Sequence, residues 1–347
     1  MRLIEARNVN GVFPIGMRLL DEEAFYEESR AGDVKVAPWP VTTIYQRPME
    51  RVLFDPKRDA NPFFHLMEGL WMLAGREDSA FLNRYVATFG ERFAEKDGTV
   101  HDAYGQRWRE SFGFDQLDHI AARLRSNPQD RQCVLQMWDA NVGEDDLTGD
   151  WRGRPCNTHA YFRLRDSEFL DMTICCRSND AVWGAHGANA VHFSMLLEYM
   201  AGRIGVGVGK MYQHSNNYHG YVSELQRIGD LRDLKGHDPY HSGEVTAMPM
   251  AIDWDTWDND LMRFMTWHDT QLPDGIALHD TGVELHNPWF YNVAGRVALA
   301  RWQWTNGMKP TARRCVEHIT APDWRKACTE WMNRRLYPAQ SSLKAAG

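Results

Sequence analysis

Metal-ligand spacing is missing from this chain. Its 14 histidines include no His-Glu-x-x-His pair, and its six cysteines (133, 156, 175, 176, 315 and 328) form no Cys-x-x-Cys, so no metal is expected. The cysteines are too sparse for a disulfide framework, which favours a reduced, cytoplasmic setting. Adjacent Cys175 and Cys176 are expected on opposite faces of a strand. No run approaches the roughly 20 apolar residues that cross a bilayer. The opening Met1-Arg2-Leu3-Ile4-Glu5-Ala6-Arg7 lacks the apolar stretch of a signal peptide. Positive charge is also in short supply. With 39 Lys and Arg against 47 Asp and Glu, the net charge is −8, which argues against nucleic acid or an anionic membrane as partner. There is no P-loop and no dinucleotide glycine fingerprint; Gly205-Val206-Gly207-Val208-Gly209 reads as a turn entering a strand.

What is there begins with material for a large core: 347 residues, 43% hydrophobic, including 14 tryptophans. Nothing in the chain forces a split into domains. A strand is expected over 40–45, and a helix from Asn61-Pro62 through Leu73, stopped at Gly75. A second helix, over 189–201, is apolar all round and reads as central. Alternation over 158–164 and the run 169–176 predict two strands of a hairpin, turning at 165–168. From about Trp254 the chain reads as mostly helical and rich in Trp and Arg.

That hairpin carries the chemistry. It sets Cys156, at the start of one strand, beside Arg177, at the end of the other. A thiolate nucleophile gains from a nearby guanidinium, which lowers the thiol pKa and also binds anions. Arg177-Ser178-Asn179-Asp180 places a cation, a hydroxyl, an amide and a carboxylate in succession, which is rare away from a site. Glu68 lies inside the apolar helix, where a carboxylate is costly to bury unless it is hydrogen-bonded or functional.

Taken in order, these segments resemble the thymidylate synthase superfamily, including its hydroxymethylase branch, over roughly residues 28 to 251. Ser29-Arg30-Ala31-Gly32 resembles the N-terminal phosphate loop, and Pro40-Val41-Thr42-Thr43 the strand that follows. The stretch from His65 to Leu73 around Glu68 resembles the catalytic-glutamate helix. Tyr104-Gly105-Gln106-Arg107-Trp108-Arg109 is similar to the Tyr-Gly-x-x-Trp-Arg signature. Asp130-Arg131-Gln132 falls where the family has arginines that reach a partner subunit, Pro155-Cys156 fits the nucleophile, and Arg177 to Asp180 fits Arg-Ser-x-Asp. The resemblance implies an α+β fold of mixed sheet and helices, forming a homodimer through its sheet. It implies a catalytic core over 1–253, with a helix-rich extension over 254–347 packed on it. The substrates it implies are a pyrimidine nucleoside monophosphate and 5,10-methylenetetrahydrofolate. Cys156 would add to C6, Glu68 would manage protons through water, and Tyr104 and Arg177 would complete the catalytic group. Arg30, Arg177 and a second subunit's Arg131 would hold the phosphate. Ser178, Asn179, Asn189, Asn217 and His219 would bind the nucleotide. Asp180, Trp71 and Gly184 would face the folate.

Three departures from the family pattern bear on the product. The segment Ala185-His186-Gly187-Ala188-Asn189 is one residue longer than the family's, which leaves the register of Asn189, the expected base reader, open; His186 could approach the same edge. The sugar-binding segment appears as Ser215-Asn216-Asn217-Tyr218-His219, leaving the sugar open. The family's short apolar closing tail is replaced by the extension ending Ser341-Ser342-Leu343-Lys344-Ala345-Ala346-Gly347. Admitting water would favour hydroxymethylation over methylation. Uracil and cytosine both stay open, as does a catalytically silent paralogue that binds nucleotide or RNA.

Overall fold

The computed structural model describes residues 1–141, 146–234 and 236–337, so the closing segment 341–347 lies outside the described residues. Its ten strands are β1 (Arg2–Ala6), β2 (Phe25–Glu27), β3 (Val34–Val36), β4 (Val41–Tyr45), β5 (Val134–Gln136), β6 (Asn157–Arg165), β7 (Phe169–Cys176), β8 (Asn179–Asp180), β9 (Gly207–Ser215) and β10 (Tyr218–Tyr221). They form a six-stranded mixed sheet in the order β1-β4-β9-β7-β6-β5 and a smaller one in the order β2-β3-β10-β8. The expected hairpin is β6–β7, with Asn157 opposite Cys176, and its turn holds Asp166 and Ser167 at positive φ. The fold is α+β.

Helices α1 (Val9–Glu22), α5 (Tyr104–Arg109), α6 (Gln116–Ser126) and α7 (Asn189–Ile204) pack on the large sheet; α2 (Pro62–Leu73) packs on α7 and α5, α3 (Ser79–Asn83) on α2, α4 (Phe89–Phe93) on α3, and α8 (Val222–Ile228) on β10. Helix α2 starts where the sequence places it. The Asn61 side chain accepts from the N–H of Phe64, Pro62 occupies the first turn, and Gly75 closes the end at φ +71°. All of α2 is buried except Phe64, so Glu68 has no solvent face to turn to. Helix α7 is central as expected, runs three residues further than expected, and ends on Gly205 in the left-handed region. It packs on β7 and β9 and against α2.

Strand periodicity sorts the large sheet into two faces. Leu135, Ala160, Ile174, Gln213, Thr43 and Ile4 lie in one row facing the helices, all buried. The opposite face carries two rows. Val134, Tyr161, Thr173, Tyr212, Ile44 and Glu5 form one; Gln136, His159, Cys175, His214, Thr42 and Leu3 form the other, all partly or fully exposed. Cys175 and Cys176 thus point to opposite faces, as alternation requires.

The later helices are α9 (Trp257–Thr270), α10 (Arg296–Thr305), α11 (Lys309–Glu317) and α12 (Pro322–Leu336). Their aromatic residues join the buried cluster built by the first 250 residues. Polar ties cross as well: Arg109 to Asp258 at 2.9 Å, Arg76 to Asp269 at 2.6 Å, and Arg334 and Arg335 to Asp59 at 2.8 and 2.9 Å. Those last arginines pin α12 to the segment before α2.

Candidate active site

Cys156 stands immediately before β6 and Arg177 immediately after β7. The Arg177 N–H donates to the Cys156 carbonyl at 2.9 Å. The Arg177 guanidinium donates to the carbonyls of Pro155 and Arg154, both at 2.8 Å, and lies over the Trp138 ring. The cation is therefore fastened to the loop that presents the sulfur. The expected lowering of the thiol pKa does not result. Burial pushes the Cys156 thiol up and outweighs the downward pull of Arg177, while Asp102 and Asp180 add to the rise. Tyr104, at the start of α5, accepts the N–H of Asn157 on its phenol oxygen at 3.3 Å, one residue from the sulfur. Burial, then Cys156, holds its hydroxyl well above the usual range.

Residues Ala181–Ala188 form a π-helical stretch kinked at Gly187, whose φ of −118° and ψ of −109° are not helical. Asn189 is the first residue of α7. Its amide donates to Asn179 Oδ1 at 3.1 Å, and the Asn179 amide donates to Gln213 and Ser215, each at 2.9 Å. Asn179, expected to bind substrate, is only 2% exposed with its amide committed to these neighbours and its Oδ1 holding Asn189. Gly184 has its reason here: a Cβ on it would stand 2.7 Å from Asn179 Oδ1 and 3.3 Å from Asn189 Nδ2. His186 does not approach the base edge. It is buried between Tyr218, 2.7 Å away, and Tyr45, and burial drops its pKa to about 3.

Asp180 pairs with His219 across β8 and β10. One carboxylate oxygen accepts the N–H of Trp183; the other, Oδ2, is buried without a hydrogen-bond partner. Burial raises the Asp180 pKa, and the Trp183 N–H, then His219, Arg58 and the Tyr221 N–H, work against it. His219 Nδ1 lies 2.8 Å from Asn217 Oδ1, leaving Nε2 for a ligand. Trp183 is half exposed, and its inner face rests on the buried guanidinium of Arg58 at 4.4 Å. Ser178 is partly buried between Arg177 and β8.

Glu68 is buried on α2, and its Oε2 lies 2.8 Å from Nε2 of the equally buried His192 on α7. Arg30 is exposed in the loop between β2 and β3, and Arg131 is exposed between α6 and β5. Among the described residues no hydrogen bond or ion pair joins Arg131 to the Cys156 corner. Trp71 departs from expectation. It is 1% exposed, and its indole N–H donates to the Asp78 carbonyl at 3.0 Å, so it has no face for a folate.

Sequence reasoning missed three neighbours. The Tyr221 hydroxyl is raised by burial, then by Asp180 and Cys156, with Arg30 opposing, so it stands among them. It follows His219 by two residues on a strand, and that period was the available signal. Asp102, two residues before Tyr104, is held up by burial and acts on Cys156. His192 follows Asn189 by one helical turn. A cleft of about 790 Å³ lies elsewhere, lined by Glu77, Lys96, Asp97, His101, Arg107 and Trp151. No cysteine lines it. Among the described residues no group of three or more His, Cys, Asp or Glu could hold a metal ion, and no helix is long and apolar enough to cross a membrane.

Residues 61–241 match the family model for thymidylate synthase. A deoxyuridylate hydroxymethyltransferase from Pseudomonas phage M6 is 41% identical over 96% of this chain and 95% of its own length. A deoxyuridylate hydroxymethyltransferase from Bacillus phage SP01 is 37% identical over 53% of this chain and 50% of its own length. A putative thymidylate synthase from Methanothermobacter thermautotrophicus is 31% identical over 51% of this chain and 77% of its own length.

Proposed function

The chain belongs to the thymidylate synthase family, and from that premise we propose that it is a deoxyuridylate hydroxymethylase, moving one carbon from 5,10-methylenetetrahydrofolate to C5 of dUMP. The observation that carries this is the Cys156–Arg177 corner beside Asn189, in a chain aligned nearly end to end with a relative named for that activity.

Cys156 adds to C6 of the ring and makes C5 nucleophilic. Because burial keeps the free thiol protonated, the substrate's arrival has to draw the proton off; Arg177 beside the sulfur favours the thiolate. Asn189 reads the base. With one amide N–H committed to Asn179, it offers Oδ1 as an acceptor for the N3–H of uracil and its second N–H as a donor to O4. The free Nη1 of Arg177, Arg30 and the partner subunit's Arg131 take the phosphate, with Ser178 beside them. Asn217, His219 and Tyr221 line up for the sugar. Glu68 manages protons through ordered water.

The folate supplies the methylene carbon. Asp180 fits it, because Oδ2 is a buried acceptor without a partner and a pterin N–H would satisfy it. Trp183, half exposed on its guanidinium support, offers a ring face beside it, and Gly184 keeps the turn close.

The reading includes a homodimer built on the large sheet. Two six-residue rows from Val134 to Glu5 and from Gln136 to Leu3 leave Tyr161, Val134 and Leu3 exposed on a face that no helix covers among the described residues. Residues 1–253 form the catalytic core in this reading, and the later helices brace α2 from behind.

One incubation tests the activity. With methylenetetrahydrofolate and each of dUMP, dCMP, UMP and CMP, mass spectrometry should find CH2O added to dUMP, and absorbance should register no dihydrofolate. Cys156→Ala should abolish tritium release from C5-labelled dUMP; release at the normal rate would refute the mechanism.

A further inference from the structure

We propose that His192 is a positioning residue for Glu68, and that the pair holds the water which captures the methylene carbon on C5. This rests on the hydroxymethylase reading and deepens it.

His192 Nε2 approaches Glu68 Oε2 to 2.8 Å, yet both ring nitrogens and this carboxylate oxygen have no hydrogen-bond partner, because the approach is out of line. The two side chains are 2% and 11% exposed. A polar group left buried and unpaired is costly, so three such atoms on two facing side chains call for a purpose. Together they offer a donor and an acceptor to one water molecule. The packing is arranged for this approach: a Cβ on Gly69 would meet Met195 Sδ at 2.4 Å, so glycine beside Glu68 lets α2 close on α7. His192 also faces the right way. It lies one turn after Asn189 on the same helix side, and its neighbour Phe193 packs on Tyr104, whose hydroxyl touches the backbone next to Cys156.

The step balances. Water oxygen bonds to the methylene carbon on C5, and its proton passes to the Glu68 carboxylate. The C5–methylene π electrons move toward O4 as an enolate. The enolate then re-forms the ring double bond by expelling the Cys156 thiolate, which recovers the proton. Nothing is oxidised or reduced.

The test sets water against an added thiol, 2-mercaptoethanol, which competes for the same methylene carbon and leaves a thioether. His192→Leu removes both nitrogens and keeps bulk; His192→Gln keeps an N–H within reach of Glu68. We expect His192→Leu to release tritium from C5-labelled dUMP within about threefold of the unsubstituted rate while its thioether-to-hydroxymethyl ratio rises at least about tenfold, with His192→Gln near the original ratio. An unchanged ratio in His192→Leu overturns the proposal, as does equal loss of tritium release and hydroxymethyl product in both variants. Should the Leu variant not fold, His192→Asn, whose amide falls short of Glu68, replaces it in the same comparison with Gln. Unsubstituted enzyme that makes only methyl product overturns the parent reading instead.

Discussion

The backbone N–H of Arg177 bonds to the carbonyl of Cys156 at 2.9 Å, and the Arg177 guanidinium bonds to the carbonyls of the two residues before it. The cation and the sulfur are thus held in one rigid corner of the β6–β7 hairpin. Burial nevertheless leaves the resting thiol above its ordinary pKa of 9.0. Iodoacetamide should therefore alkylate Cys156 in the free enzyme at a rate that climbs through pH 9 and beyond. Arg177→Ala should move the profile further up, since the one opposing charge is removed. A midpoint below about 7 would mean that the guanidinium, not burial, governs the thiol.

Asn189 is oriented by Asn179, so base choice should depend on both. Asn189→Asp sets a carboxylate against Asn179 Oδ1 and forfeits the neutral acceptor for uracil N3–H. The kcat/KM for dUMP should fall by roughly 10- to 100-fold, the worth of one or two hydrogen bonds in a buried site. Asn179→Ala should lower it in the same direction while leaving the thiol's alkylation profile alone.

Gly184→Ala brings a methyl within 2.7 Å of Asn179 Oδ1. The turn cannot relax without parting the two asparagines. KM for dUMP is expected to rise by about tenfold, with thermal stability reduced by about 1–3 kcal/mol of local overpacking. Calorimetry alongside steady-state kinetics separates the two effects.

Asp323 is buried in the first turn of α12, where it accepts from the Tyr240 hydroxyl at 2.9 Å, and burial raises its pKa from 3.8 to about 6. The folded state holds this proton more tightly than the unfolded chain. The stabilising contribution is therefore full below 3.8 and lost as pH rises through about 6. Asp323→Asn should raise the melting temperature at pH 7 and have little effect at pH 4, a difference of no more than about 3 kcal/mol. Equal shifts at both pH values would show that the side chain is not titrating.

If Arg131 serves the second subunit's phosphate, a mixture of Cys156→Ala and Arg131→Ala proteins should recover activity that neither has alone. Each mixed dimer then contains one site with both an intact cysteine and an intact arginine. No recovery after co-refolding would confine Arg131 to its own chain.

The sequence by itself determined the parts governed by near neighbours. The Asn61 cap and Gly75 stop bound α2, and strand alternation put Cys175 and Cys176 on opposite faces. A 21-residue spacing around a turn was enough to bring Cys156 to Arg177, because an antiparallel hairpin closes on its own ends. What the tertiary structure decided depends on elements far apart in the chain. Burial of the thiol reversed the expected direction of its pKa. Packing of α2 against the core took Trp71 away from any ligand. Cross-strand partners turned Asn179 into the holder of Asn189, and the approach of two helices set His192 against Glu68. Local hydrogen bonding and side-chain period are written in consecutive residues; desolvation and the distance between remote helices exist only once the chain has packed.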